Sequence, residues 1–180
     1  MSDRLAGFRY AAELLDHAEE AALIPHLSTL PFREFEFHGY TGKRRVVSFG
    51  WKYDFSSAKL RQAAEIPEFL LSLRDRAASF AKLEPDDFLH ALVTEYGPGA
   101  GIGWHRDKAV FGEVVGVSLL AACVLRFRRK DGHKWERVNV LTEPRSAYHL
   151  SGPARTEWQH SILRVDELRY SITFRTMRPE

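Results

Sequence analysis

Two segments carry apolar residues at helical spacing. In residues 12–29, Leu14, Leu15, Ala18, Leu23 and Leu27 fall on one helical face, and Pro25 predicts a kink or split in that helix. In residues 67–82, Pro67 suits a first helical turn, and Phe69, Leu70, Leu73, Ala77 and Phe80 make an apolar stripe. Elsewhere the pattern has strand length and strand period, at 46–49, 88–96, 114–127, 134–141, 146–150 and 169–176. Asp131-Gly132 lies between two of these runs, which predicts a tight hairpin over 124–140. No helical pattern follows Gly97, so a doubly wound sheet is excluded. The expected architecture is mainly β with flanking helices: two packed sheets, as in a jelly roll, with the N-terminal helices buttressing one sheet.

A chain of 180 residues with 44% hydrophobic and 12% aromatic content suits one compact domain, and no repeat or Pro/Gly/Ser-rich linker divides it. Within residues 1–180 the jelly-roll core is expected at about 88–178. No apolar run approaches membrane-spanning length, and the first ten residues carry Asp3, Arg4 and Arg9 without an apolar signal core. The expectation is therefore a cytoplasmic monomer with no membrane contact. The single cysteine, Cys123, sits in an apolar run and reads as a small buried hydrophobe. A net charge of +2 permits a phosphate-rich partner without requiring one.

Candidate chemistry begins at Gly103-Trp104-His105-Arg106-Asp107. On an extended segment, residues two apart share a face, so His105 and Asp107 can converge on one metal ion. Chance alone predicts about 0.4 such pairs in a chain with 8 histidines, so a third ligand has to be found. His160 is the candidate, standing among apolar neighbours in Trp158-Gln159-His160-Ser161-Ile162. Two imidazoles and one carboxylate leave three octahedral positions open, enough for a bidentate co-substrate and O2. His17 and Glu19 have the same spacing, but on a helix they point about 200° apart and read as surface. Farther on, Arg169, Ser171, Thr173 and Arg175 share one face of a predicted strand. A polar, cationic face inside an apolar sheet demands an anionic partner, and a dicarboxylate bound through Arg would supply it.

In order and spacing these motifs, with Tyr96-Gly97-Pro98-Gly99, His105-Arg106-Asp107-Lys108, Gly152-Pro153-Ala154-Arg155 and Arg169-Tyr170-Ser171-Ile172-Thr173-Phe174-Arg175, resemble the AlkB-like family of 2-oxoglutarate/Fe(II)-dependent dioxygenases. The likeness runs from about Arg44 to Arg178. It implies a double-stranded β-helix with Fe(II) on His105, Asp107 and His160. It implies the distal carboxylate of 2-oxoglutarate held by Tyr96 and Arg169, with Arg175 near the iron-chelating end; the hydroxyls of Thr94 and Ser171 are further candidates for binding the co-substrate. The implied reaction converts 2-oxoglutarate and O2 to succinate and CO2 while hydroxylating a methyl carbon on an alkylated base, which then releases formaldehyde.

The chain departs from the family pattern at three places. Thr94 stands where the family usually has Asn, Ala109 where nucleobase-repair members commonly place an acid, and the interval from His160 to Arg169 is short. Substrate capture is then expected from a lid segment at about 31–60, in which Lys43, Arg44 and Arg45 meet phosphates. In the same segment Phe49, Trp51, Tyr53 and Phe55 alternate on one face, Trp51 or Tyr53 stacking on a flipped base; the alternative is an edge hairpin with core aromatics and a solvated basic turn. A second basic run, Arg126, Arg128, Arg129 and Lys130, reads as a solvated hairpin tip or a phosphate contact. The expected partner is alkylated DNA or RNA, single-stranded by preference, in a DNA-repair role. The alternatives are a protein or small-molecule hydroxylase or demethylase, and a non-redox, cupin-like metal-binding module.

Overall fold

The computed structural model describes residues 4–37, 40–54 and 57–179. Along the chain these form β1 (Phe8–Ala11), α1 (His17–Ser28), β2 (Arg33–Phe37), β3 (Tyr40–Asp54), β4 (Lys59–Gln62), α2 (Glu68–Ala81), β5 (Phe88–Tyr96), β6 (Ile102–His105) and β7 (Phe111–Leu119). There follow β8 (Cys123–Asp131), β9 (Lys134–Thr142), β10 (Ala147–Leu150), α3 (Gly152–Thr156), β11 (Gln159–Ile162) and β12 (Arg169–Met177).

The strands make two antiparallel sheets. The larger has the order β1-β10-β7-β12-β5-β3-β2, with β4 also pairing to β3; the smaller is β6-β11-β8-β9. Two apolar clusters follow from strand alternation. One face of the larger sheet, with Val93, Val117, Ile172 and Phe174, buries Leu70, Leu73 and Ala77 of α2 and Leu27 of α1. The opposite face meets the smaller sheet, where Leu125, Phe127, Leu150 and Trp158 pack. This is the jelly roll with one buttressed sheet.

Local chemistry explains where elements start and stop. Asp16 caps α1 by accepting from Glu19 N (2.8 Å), while the Glu19 side chain accepts from Asp16 N. The helix therefore begins at His17 rather than near residue 12. Pro25 does not split it, because α1 continues three residues farther. The apolar run 114–127, read as one strand, is two. Leu120 takes a left-handed conformation (φ 71°), its N–H donates to Glu20 Oε2 (3.0 Å), and the chain crosses there from the larger sheet to the smaller. Both strands are apolar, so periodicity has no signal for the change of sheet. The strand expected at 46–49 is the middle of β3, which is longer. A short helix, α3, follows Gly97 after all. The Asp131-Gly132 hairpin forms as expected, with Asp131 opposite Lys134.

Candidate active site

β11 lies antiparallel to β6 with His160 directly opposite His105, so both imidazoles project to the same side of the smaller sheet. Asp107 follows two residues beyond His105. One ligand atom from each of the three residues falls within 4.8 Å of the others. Asp107 Oδ1 is 3.6 Å from His105 Nε2 and 3.7 Å from His160 Nε2. His105 Nδ1 donates to the Gly103 carbonyl (2.9 Å), which leaves Nε2 as the lone-pair nitrogen facing the group.

The charge states suit a cation. Burial, reinforced by His105, lowers His160 to about 3, so its imidazole is neutral and a lone pair is free to bind. Burial alone would raise Asp107, but Arg175, assisted by His105 and His160, outweighs it and holds the carboxyl well below the usual range. Arg175 Nε donates to Asp107 Oδ2 at 2.7 Å, leaving Oδ1 on the side of the histidines. On β5, His90 stands opposite Arg175, its Nδ1 3.4 Å from Arg175 Nη1. Burial and the neighbouring guanidinium hold His90 neutral, well below its ordinary value.

A second site adjoins the first. The register of β12 on β5 pairs Arg169 with Tyr96, Ser171 with Thr94 and Arg175 with His90. Thr94, Tyr96, Ser171, Thr173 and Arg175 line one cavity with His105, Asp107 and His160. Arg169 is 1% exposed, its guanidinium lies 4.9 Å from the Tyr96 ring centroid, and its Nε donates to Ser118 Oγ at 2.9 Å. Its Nη1 is buried with no partner among the described residues. Glu95, the nearest sequence candidate for a carboxylate partner, belongs to the other face, where it binds Arg45. A buried guanidinium facing a hydroxyl, a ring and an empty hydrogen-bond direction fits an incoming carboxylate. The residues present therefore fit both a divalent metal and 2-oxoglutarate.

The lid residues separate. Alternation in β3 sends Arg44 and Val46 into the cavity wall beside Tyr96 and Thr94, and burial lowers the Arg44 guanidinium. Arg45 points the other way to Glu95, and Lys43 is exposed, so residues 43–45 are not one phosphate-facing cluster. The shared aromatic face is also corrected. Phe49 is buried in the helix-side core, and β3 turns at Gly50 (φ 73°), leaving β5 for β4. Beyond that turn Trp51 is 40% exposed, and the Tyr53 ring lies 5.3 Å from Lys108 Nζ, just past the ligand pair. Phe55, the remaining aromatic of that segment, lies outside the described residues.

Three contributors escaped the sequence reading. Tyr148 lines the cavity from β10, its ring lying across Gly116 of β7, where any Cβ would collide with it. His90 touches Arg175, as above. Arg155 of α3 is buried and donates to three backbone carbonyls, Lys108 O (2.8 Å), Phe111 O (2.7 Å) and Gly112 O (2.7 Å), bracing the loop behind Asp107. In the sequence Arg155 stands out only as part of Gly152-Pro153-Ala154-Arg155, and a buried arginine with backbone partners leaves no mark in the pattern.

A fold of two sheets enclosing two histidines and a carboxylate, with a buried arginine beside them, defines a class, and the comparisons name it. The 2OG-Fe(II) oxygenase superfamily matches residues 7–175, and the chain belongs to it. Within that superfamily it is AlkB-like. It is 26% identical over 162 residues to the "Alkylated DNA repair protein ALKBH8 homolog" of Arabidopsis thaliana, covering 76% of this chain and 47% of that protein. It is 36% identical over 101 residues to the mouse "Alpha-ketoglutarate-dependent dioxygenase alkB homolog 7, mitochondrial", covering 52% of this chain and 42% of that one. The chain thus spans under half the length of these curated relatives. Among solved structures, OsALKBH1 matches with a TM-score of 0.69 at 18% identity, over 94% of this chain and 98% of that one. A Pseudomonas putida prolyl-4-hydroxylase matches at 0.64 and 15%, over 99% and 97%. The family's cofactors are Fe(II), 2-oxoglutarate and O2.

Proposed function

We propose that this chain is an oxidative demethylase of alkylated nucleobases in DNA or RNA, acting on single strands in the cytoplasm. His105, Asp107 and His160 hold Fe(II) in this reading, and Arg169 with Tyr96, Thr94 and Ser171 holds 2-oxoglutarate. The observation that carries the oxygenase part is the buried Arg169 Nη1 without a partner among the described residues, behind Tyr96, which lines the cavity with the three ligands. Iron with 2-oxoglutarate and O2 supplies the oxidising equivalents, giving succinate, CO2 and a hydroxylated methyl group. On a ring nitrogen that product loses formaldehyde and restores the base. The protein's own residues bind and orient. Arg169 takes the distal carboxylate, Arg175 keeps Asp107 ionised, and Tyr148 and Arg44 shape the wall. Support for a nucleobase comes from the relative named for alkylated DNA repair and from Tyr53 and Lys108 beside the ligands. No helix among the described residues is long and apolar enough to cross a membrane.

A second reading, hydroxylation of a protein or small molecule, is favoured by the dispersal of residues 43–45 and the burial of Phe49, which leave few stacking or phosphate-binding groups at the mouth. One assay separates the two: succinate and formaldehyde formation with Fe(II), 2-oxoglutarate and ascorbate across methylated oligonucleotides and nucleosides. Stimulation by 1-methyladenine or 3-methylcytosine strands, with matching formaldehyde, supports demethylation. Ala109 offers no acid to read an exocyclic amine, so discrimination between these lesions is expected to be loose. Succinate at the uncoupled rate with every nucleic acid moves the assignment to the second reading.

A further inference from the structure

The wall that carries the histidines has a second face. In β8, Leu125 and Phe127 point to the core, while Arg126, Arg128 and Lys130 point out. Register puts Arg126 beside Ser161 and Asn139, Arg128 beside Gln159 and Arg137, and Lys130 beside Trp135. Trp104, one residue before the ligand His105, lies on this side too. The Arg128 guanidinium carbon is 4.4 Å from the Trp104 ring and 4.3 Å from the Trp135 ring; Arg126 is 4.8 Å from Trp104, and Lys130 Nζ 5.5 Å from Trp135. Cations and indoles thus alternate across the sheet.

No carboxylate answers them. Among the described residues, Arg126, Arg128, Lys130 and Arg137 have no acidic partner at ion-pair distance; Arg126 donates to Ser161 Oγ (3.0 Å) and Arg128 to Gln159 Oε1 (2.8 Å). Their neighbour Arg129, on the opposite face, takes both Glu136 and Glu157. Alternation has sorted the charges. Arg128 stands directly opposite Arg137, a like-charge pair that weakens a sheet unless an anion lies between them. A guanidinium stacked flat on indole keeps its N–H edge free, the arrangement suited to phosphate, and the 37% exposed Trp135 offers a stacking surface.

We propose that this outer face binds the sugar-phosphate backbone of a single-stranded nucleic acid, holding the nucleotides that flank the base presented to the cavity. The proposal rests on the nucleobase reading given above. β6 is the edge strand of the small sheet, and its His105 side chain is 32% exposed, so the edge lies between this face and the metal ligands. A strand crossing from β9 to β6 spans three strand spacings, about 14 Å. Stacked indoles favour nucleic acid over an acidic peptide, which brings charge but no flat rings.

The test is fluorescence anisotropy of a labelled, unmethylated single strand of about a dozen nucleotides across a salt series, since affinity for phosphates falls with salt by about 0.7 in logarithmic slope per contact. The Lys130→Glu/Arg137→Glu variant changes exposed side chains and should keep its fold. It is expected to lose at least tenfold in affinity and to flatten the salt slope, while uncoupled succinate production and turnover of a methylated nucleoside stay at the parent level. Trp135→Ala is expected to weaken binding with the salt slope unchanged. Unaltered affinity in the charge-reversed variant overturns the proposal, as does displacement of the strand by polyglutamate at matched charge. If methylated strands are demethylated equally well by the variant, this surface falls and the demethylase reading stands. If strands bind here but are never demethylated, the demethylase reading falls and the surface stands.

Discussion

Arg169 and Arg175 share a strand face but carry different loads. Among the described residues Arg169 bonds Ser118 Oγ and faces Tyr96, so its loss costs about 1 kcal/mol per direct hydrogen bond. Arg169→Ala is therefore expected to remove 2-oxoglutarate-dependent succinate formation while the melting temperature falls by only a few degrees. A collapse of the fold would instead mean that the guanidinium serves packing. Arg175 grips Asp107, and removing a partner that orients a metal ligand typically costs 10–100-fold in metal affinity. Titration of Arg175→Ala with Mn(II) should show that weakening even without 2-oxoglutarate, whereas Arg169→Ala should bind metal normally. Equal metal affinities in the two variants would remove the distinction.

At the scale of elements, α3 acts through one side chain. Arg155 reaches from this short helix to the carbonyl of Lys108, in the loop that holds Asp107, and to those of Phe111 and Gly112, at the start of β7. Arg155→Met keeps much of the volume and removes those three hydrogen bonds, at a cost of about 3 kcal/mol. For a chain of this length that is a fall of about 6–12 °C in melting temperature. Metal affinity should fall along with it, because Asp107 loses its support. A variant that melts early yet binds Mn(II) like the parent would confine Arg155 to packing. β3 shows the same principle in strand form. One residue of alternation decides that Arg44 enters the cavity and Arg45 pairs with Glu95 on the other face.

For the whole molecule, buried neutral histidines set the response to acid. His90 and His160 are both held below the ordinary histidine value of 6.5, chiefly by burial, so the unfolded chain binds protons that the folded one refuses. Stability must then rise with pH through that window and be lost as pH falls below 6.5, by up to about 1.4 kcal/mol per pH unit for each histidine. Asp107, lowered in the fold, adds loss in the same direction at lower pH, where unfolded carboxylates take up protons. Melting temperatures of the metal-free protein from pH 8 to 4.5 should decline below pH 6.5, and His90→Gln should flatten that decline; a pH-independent melting curve would contradict it. Metal and 2-oxoglutarate act oppositely. At a hundred times its dissociation constant, a ligand confined to the folded state adds about 2.7 kcal/mol.

Much of the site can be read from the chain because its parts are local. His105 and Asp107 are two residues apart, the row Arg169 to Arg175 follows strand period, and both motifs keep their meaning wherever the strands are placed. The two long helices and the Asp131-Gly132 hairpin are legible for the same reason, since periodicity and turn chemistry act over a few residues. What the pattern could not contain is pairing between distant strands. That His160 lies opposite His105, that Arg155 braces the loop behind Asp107, that Arg44 faces in while Phe49 is buried beyond it, and that four cations on one face have lost their acids to the other are facts of register and sheet assignment. These depend on which apolar surfaces pack together, a choice made by burial across the whole fold rather than by any stretch of neighbouring residues.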